Sequence, residues 1–132
     1  MTQLQWDVHL SVGINELDFH HKTMFSIISK LRTMSVGQIE AVALMPEIER
    51  LKKYSAFHLD REEDLFTQYN YPDAEKHRRQ HQVYRLKIAE LTADGLIVAL
   101  PELIDFLEKW WIAHIMHEDK KYTDFFHQVG II

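Results

Sequence analysis

The sequence predicts an all-α protein, an up-down-up-down antiparallel four-helix bundle with an N-terminal arm and a short C-terminal tail. Three observations predict it. Apolar residues recur at helical spacing in four stretches of about 20 residues. Short turn-forming breaks separate those stretches. Each stretch also carries histidine or carboxylate groups in phase with its apolar stripe, so polar side chains face a shared interior.

The arm covers about residues 1–17 and the bundle about 18–124. Trp6, Val8, Val12, Ile14 and Leu17 lack a sustained helical period, so the arm is expected to pack over the bundle. Asp18 is placed to cap a first helix over about 18–36, whose apolar residues Phe25, Ile27, Ile28 and Leu31 share one face. Gly37 is a natural stop. A second helix carries Ile48, Leu51, Tyr54, Leu65 and Phe66, with Pro46 in its first turn and residues 38–45 as a separate helical turn. Asn70-Tyr71-Pro72-Asp73 reads as a turn. The third helix runs to about Leu91, and Thr92 to Gly95 breaks it. The fourth takes in Leu103, Phe106, Leu107, Trp110, Trp111, His114 and Tyr122. Pro101 stands in its first turn and Leu96 to Leu100 form the approach. Phe125 to Ile132 read as a tail that folds back.

A chain of 132 residues is the size of one domain, taken here as 1–132. Its apolar fraction of 46% and charged fraction of 27% are ordinary for a soluble globular protein. Net charge is −5 with the two signs interleaved, so there is no basic stripe for nucleic acid and no polybasic run for a membrane surface. No stretch approaches the ~20 apolar residues that span a bilayer, so no membrane insertion is expected. The opening Met1-Thr2-Gln3-Leu4-Gln5-Trp6 lacks the charged and apolar regions of a signal peptide. Cysteine is absent, which removes disulfides and thiolate chemistry and suits a reducing cytoplasm.

Five histidines and two carboxylates carry the chemistry: His21, His58, Glu62, His77, His81, His114 and Asp119. Buried charge needs partners, and a metal satisfies many such groups at once. Nitrogen and oxygen donors without sulfur point to iron, zinc, copper or manganese. His77 and His81 lie four apart, one turn above one another on the face shared with Ala74, Tyr84 and Ile88. His58 and Glu62 repeat that spacing and share a stripe with Tyr54, Ser55, Leu65 and Phe66, with Glu63 as the adjacent competitor. His114 and Asp119 lie five apart, about 140° around an ideal helix, so spacing alone favours Glu118. An overwound or bulged backbone, or reach from the stripe's edge, would bring Asp119 in. His21 alone is a weak signal, since a single histidine on an apolar helix face is more often a hydrogen-bonded core residue than a ligand. His9, His20, His117 and His127 read as surface groups or as supports behind the ligands.

These motifs together resemble the hemerythrins, and more closely the single-domain bacterial members, the bacteriohemerythrins. The resemblance covers almost the whole chain. It includes Trp6-Asp7, Val12-Gly13-Ile14, Leu17-Asp18-x-x-His21-Lys22 and Tyr54-x-x-x-His58 with Glu62-Glu63. It continues through Tyr71-Pro72, His77-x-x-x-His81, Trp110-x-x-x-His114-Ile115 and Asp119-Lys120. It implies a non-haem pair of iron ions (Fe2+/Fe3+) with an oxo or hydroxo bridge. One iron would take His77, His81 and His114, the other His21 and His58, with Glu62 and Asp119 bridging. It also implies a vacant position on the second iron, reversible dioxygen binding there for storage or delivery, and an oxygen-consuming protein as recipient. The family usually has Gln at the position of His20 and Leu at that of Trp111; Trp111 would line the oxygen pocket.

The expected activity is binding without turnover, so the protein is not expected to be an enzyme. The alternatives are oxygen or redox sensing through a partner protein, and peroxide or nitric oxide chemistry at the same centre. Sensors of this type usually carry an attached signalling domain, for which the chain has no room. No dedicated general acid or base stands beside the ligands. Seven ligands exceed the four or so of a closed zinc site. Ferritin-like di-iron proteins use Glu-x-x-His pairs, which do not occur in this sequence.

Overall fold

The structure, a computed structural model, describes residues 4–37, 41–93 and 96–132. Four long helices follow one another: α1 (Asn15–Val36), α2 (Ala41–Tyr69), α3 (Ala74–Leu91) and α4 (Leu96–His117). They close a ring in which α1 packs on α2, α2 on α3, α3 on α4 and α4 on α1. Short connections between sequential neighbours force alternating directions, and the result is the antiparallel four-helix bundle. Its core holds Leu17, Met24, Ile28, Leu31, Leu51, Leu59, Leu103 and Leu107, all withdrawn from solvent. Each such side chain contributes roughly 1.5–3 kcal/mol of transfer free energy.

Several boundaries differ from the expectations set by the sequence. Helix α1 begins at Asn15, with Ile14 at the N-cap making no side-chain bond. Asp18 therefore sits inside the first turn and does not cap it from outside. Its carboxylate reaches back instead, accepting from the Val12 backbone N–H at 2.8 Å and the Ser11 hydroxyl at 2.5 Å. That bond pins the arm to the helix start. Gly37 does end α1, with φ −89° and no left-handed turn.

Both prolines lie deeper than expected. Helix α2 is continuous from Ala41 and α4 from Leu96, so Pro46 and Pro101 each occupy the second turn of a helix. Each removes one intrahelical hydrogen bond there. The proposed separate turn over 38–45 is thus part of α2 from Ala41 onward, and residues 38–40 lie outside the described residues. The approach expected at Leu96 to Leu100 is helical too. Of the break after α3, Asp94 and Gly95 lie outside the described residues. Thr92 closes α3 by donating its backbone N–H to the Ile88 carbonyl at 2.9 Å and its hydroxyl at 2.6 Å.

The turn at Asn70 is where the sequence placed it. Asn70 adopts φ +56°, and the Tyr71 N–H bonds the Phe66 carbonyl at 3.0 Å. That is a Schellman closure, sealed by the Phe66 and Tyr71 rings at 5.0 Å.

The C-terminal part differs most. Helix α4 stops at His117, and Tyr122 is not in it. A 3₁₀ turn spans Asp119–Tyr122, followed by the short helix α5 (Thr123–Gln128). Phe126 of α5 stacks at 6.1 Å on Phe66 and at 6.0 Å on Tyr71, covering the end of the bundle. The arm meets this segment. The Thr123 hydroxyl donates to the Val12 carbonyl at 2.7 Å and His127 Nε2 to the Gly13 carbonyl at 2.7 Å. Leu4, Leu10, Val12 and Ile14 of the arm are buried. Among the described residues no helix is long and apolar enough to cross a membrane.

Candidate metal centre

Side chains from α1, α2, α3, α4 and the 3₁₀ turn converge at one depth in the bundle. His21 comes from α1, His58 and Glu62 from α2, His77 and His81 from α3, and His114 from α4. Asp119 completes the group. The backbone from His114 stays α-helical to His117 and then breaks. Glu118 leaves the helix at φ −116° and ψ −50°, and this break turns Asp119 inward at the head of the 3₁₀ turn. Glu118, which plain periodicity favours, points outward and pairs with Lys121 at 3.3 Å. All seven inward side chains are buried.

Their donor atoms form two sets that share the carboxylates. On one side the Nε2 atoms of His77, His81 and His114 face Glu62 Oε1 and Asp119 Oδ1. The separations are 3.2 Å from His77 to Glu62, 3.1 Å from His81 to Glu62, 2.9 Å from His77 to Asp119 and 3.0 Å from His114 to Asp119. On the other side His21 Nε2 lies 3.2 Å from Asp119 Oδ2, and His58 Nε2 lies 3.2 Å from Glu62 Oε2. The imidazole nitrogens also crowd one another, at 3.0 Å for His77 with His114 and 3.1 Å for His21 with His58.

These spacings test whether the residues suit metal ions. An ion with bonds of about 2.1 Å to nitrogen and oxygen sets adjacent donors about 3.0 Å apart, the edge of an octahedron. The observed edges of 2.9–3.2 Å match it on both sides. His81 Nε2, Glu62 Oε1 and both Asp119 oxygens have no hydrogen-bond partner among the described residues, although they are buried. Buried polar atoms are almost always satisfied. A cation between them satisfies all at once, so the donor set fits a pair of metal ions.

The electrostatics agree. Burial would raise Glu62 and Asp119, yet the surrounding imidazoles, His58 foremost for Glu62 and His114 for Asp119, hold both well below the usual carboxylate range. Burial would lower His77, yet the close Asp119 and Glu62 carboxylates, at 2.9 and 3.2 Å, carry it up to about 10. Two buried carboxylates therefore demand positive charge, which protonated imidazoles supply when a metal does not.

A sequence profile for the Hemerythrin HHE cation binding domain matches residues 12–126, nearly the whole chain. The chain belongs to the hemerythrin family. A hemerythrin-like protein of Naegleria gruberi is 32% identical over 117 residues, covering 89% of this chain and 88% of its own length. A bacteriohemerythrin of Stenotrophomonas maltophilia is 27% identical over 126 residues, covering 94% and 82%. A bacteriohemerythrin of Pseudomonas aeruginosa is 29% identical over 127 residues, with the same coverage. Among solved structures, a leucine-to-tyrosine mutant of a hemerythrin superposes with a TM-score of 0.81 at 20% identity, over 94% of this chain and 97% of that one, which bears on the fold alone.

In this hemerythrin domain the seven side chains stand inside a supporting layer that the sequence showed only in part. Glu63 Oε2, the competitor to Glu62, instead accepts from His81 Nδ1 at 2.8 Å, with Arg85 on the same oxygen at 2.6 Å. His20 is buried and its Nδ1 meets His58 Nδ1 at 2.9 Å. Burial lowers His20 to about 4, so its ring is neutral near neutral pH. The Tyr122 hydroxyl donates to Glu62 Oε2 at 2.8 Å. Nothing local marks Tyr122, which reads as one more apolar position of a fourth helix. Its partner lies 60 residues away in the chain. His9, His117 and His127 stay outside the centre, on the surface.

Trp111 is fully buried against the two-His side, its ring 5.7 Å from that of His58 and 6.3 Å from that of His21. Tyr84 packs edge-on against it at 5.3 Å. Burial pushes the Tyr84 phenol up to about 12.

Proposed function

We propose that the protein binds dioxygen reversibly at a pair of iron ions, for storage or delivery and without chemical turnover. His77, His81 and His114 would hold one ion and His21 and His58 the other, with Glu62 and Asp119 shared. The observation that carries this reading is the inequality of the two donor sets. Five protein atoms face one ion and four face the other, so in six-coordination the two-His position would have one more coordination place open for an added ligand. Iron at this site supplies the electrons and the open coordination position that dioxygen needs. The chain's part is to fix the donors and exclude water. Both shared carboxylates accept from or face imidazoles on two sides, so neither can rotate away without breaking contacts to both positions.

Trp111 lines the ligand pocket in this reading. Its indole closes the two-His side, and the neighbouring Tyr84, Trp110 and His58 rings hold it in place. A neutral, imidazole-rich donor set also leaves the centre more positive than a carboxylate-rich one, which disfavours the strongly oxidised iron used in oxygenases. A reducing cytoplasm suits a chain without cysteine.

The test is the absorption spectrum of the anaerobically reduced, iron-loaded protein before and after air. A charge-transfer band that appears with oxygen and disappears under argon is expected. Immediate irreversible oxidation overturns the carrier reading. One ion per chain, or zinc in place of iron in the isolated protein, overturns the iron pair. Trp111→Leu should speed both oxygen release and oxidation, and unchanged rates would remove Trp111 from the pocket.

A further inference from the structure

The two metal positions are braced from behind by chemically different groups. Behind the three-His set, His81 Nδ1 meets a carboxylate, Glu63 Oε2 at 2.8 Å, which Arg85 holds at 2.6 Å. Behind the two-His set, His58 Nδ1 meets only another imidazole, His20 Nδ1 at 2.9 Å. His21 Nδ1 is buried and has no partner among the described residues.

Proton placement follows from the geometry. To offer the Nε2 lone pair inward, His58 must carry its proton on Nδ1. His20 Nδ1 must then accept it, which puts the His20 proton on Nε2. That nitrogen lies 3.9 Å from Glu16 Oε2, and Arg61 holds the same oxygen at 2.7 Å. The Tyr54 and Phe57 rings, 6.0 Å and 5.0 Å from that of His20, keep the imidazole from swinging out.

We infer that His20 is the positioning residue of the two-His metal position, and that this position is the labile one, filling last and emptying first. The inference rests on the metal-pair reading above. Three asymmetries agree. The two-His set has four facing donors against five. Its His58 is oriented by a neutral acceptor, whereas a charge-assisted bond of roughly twice the strength orients His81. Its other ligand, His21, has no bond at Nδ1 to orient it among the described residues. A carboxylate behind an imidazole also raises the basicity of the ligating nitrogen, and an imidazole does so less.

The experiment is an anaerobic titration of the metal-free full chain with Co2+, read by its visible absorption, beside the melting temperature of the metal-free protein. The wild type should take up two equivalents in two steps. His20→Phe keeps the ring contacts and deletes the acceptor; it should weaken the second step about 10–100-fold and leave the first unchanged. His20→Asn places an oxygen where Nδ1 stood and should restore the second step to within several-fold of the wild type. Glu63→Gln should weaken the first step instead. If His20→Phe does not fold, as the melting curve shows, His20→Leu makes the same deletion with a smaller side chain. Fewer than two equivalents in the wild type overturns the metal pair and this inference with it. Two equivalents in the wild type, with both steps unchanged or equally weakened in the acceptor-deleted variant, overturns the inference alone. So does failure of His20→Asn to restore the second step.

Discussion

Tyr122→Phe removes one oxygen atom and tests how the C-terminal segment is tied to the centre. The ring that remains keeps its contacts with Phe126 at 5.1 Å, Phe66 at 5.9 Å and His77 at 5.9 Å. No cavity of consequence opens, so the change isolates the 2.8 Å bond to Glu62. Burial, with Asp119 and Glu62 nearby, holds the Tyr122 phenol well above its ordinary range, so it keeps its proton near neutral pH. The acceptor is a buried carboxylate, held ionised by its imidazole neighbours against the effect of burial. A hydrogen bond to a charged group contributes about 1.5–3 kcal/mol, and no water can replace this one because both residues are fully buried. The expected loss in the metal-free protein is therefore about 2 kcal/mol. With a urea slope of about 2 kcal/mol per molar, the midpoint should fall by about 1 M at unchanged slope. The melting temperature should fall by about 6–10 °C, taking a chain of this size as intermediate between the surveyed classes. A loss below about 0.5 kcal/mol would refute the reasoning. It would mean that Glu62 finds another donor at no cost.

Three further outcomes follow from other parts of the molecule. Burial raises Tyr84 from 10 to about 12, so the folded state keeps a proton that the unfolded state loses. That stabilisation is complete below pH 10 and is lost as pH rises toward about 12, amounting to roughly 3 kcal/mol at most. Alkaline urea denaturation of Tyr84→Phe should show a shallower fall than the wild type, with Tyr71, also raised to about 12, leaving a residual slope; equal slopes would rule Tyr84 out. Gly13 has φ +72°, and an added Cβ would lie 3.0 Å from Thr123 Cγ2 and 3.2 Å from His127 Cε1. Gly13→Ala should therefore destabilise by about 1–2 kcal/mol from the left-handed backbone alone, and a neutral result would show that the arm shifts freely. Asp119→Asn should lose metal uptake that Glu118→Gln retains, and equal uptake by the two variants would contradict the inward placement of Asp119 by the 3₁₀ turn.

The pattern of apolar and ligating residues by itself determined four helices, their order and the inward faces of α1, α2 and α3. Side chains three and four apart must share a helical face whatever surrounds them. Thus His77 with His81, and His58 with Glu62, were legible as pairs. The turn at Asn70 was legible because its residue type suits the left-handed conformation it adopts. Helix ends were less so. Pro46 and Pro101 are tolerated in second turns because tertiary packing of the helix outweighs one missing hydrogen bond.

Only the tertiary structure decided which groups meet across helices. Within a helix Asp119 is at the wrong angle, and Glu118 is the better neighbour of His114. The change of winding after His117 reverses that choice, because burying Phe126 and Tyr122 over the bundle's end turns the backbone. The contacts of His20 with His58, Glu63 with His81 and Tyr122 with Glu62 span 38, 18 and 60 residues. No local periodicity encodes contacts of that length; packing of one helix against another sets them.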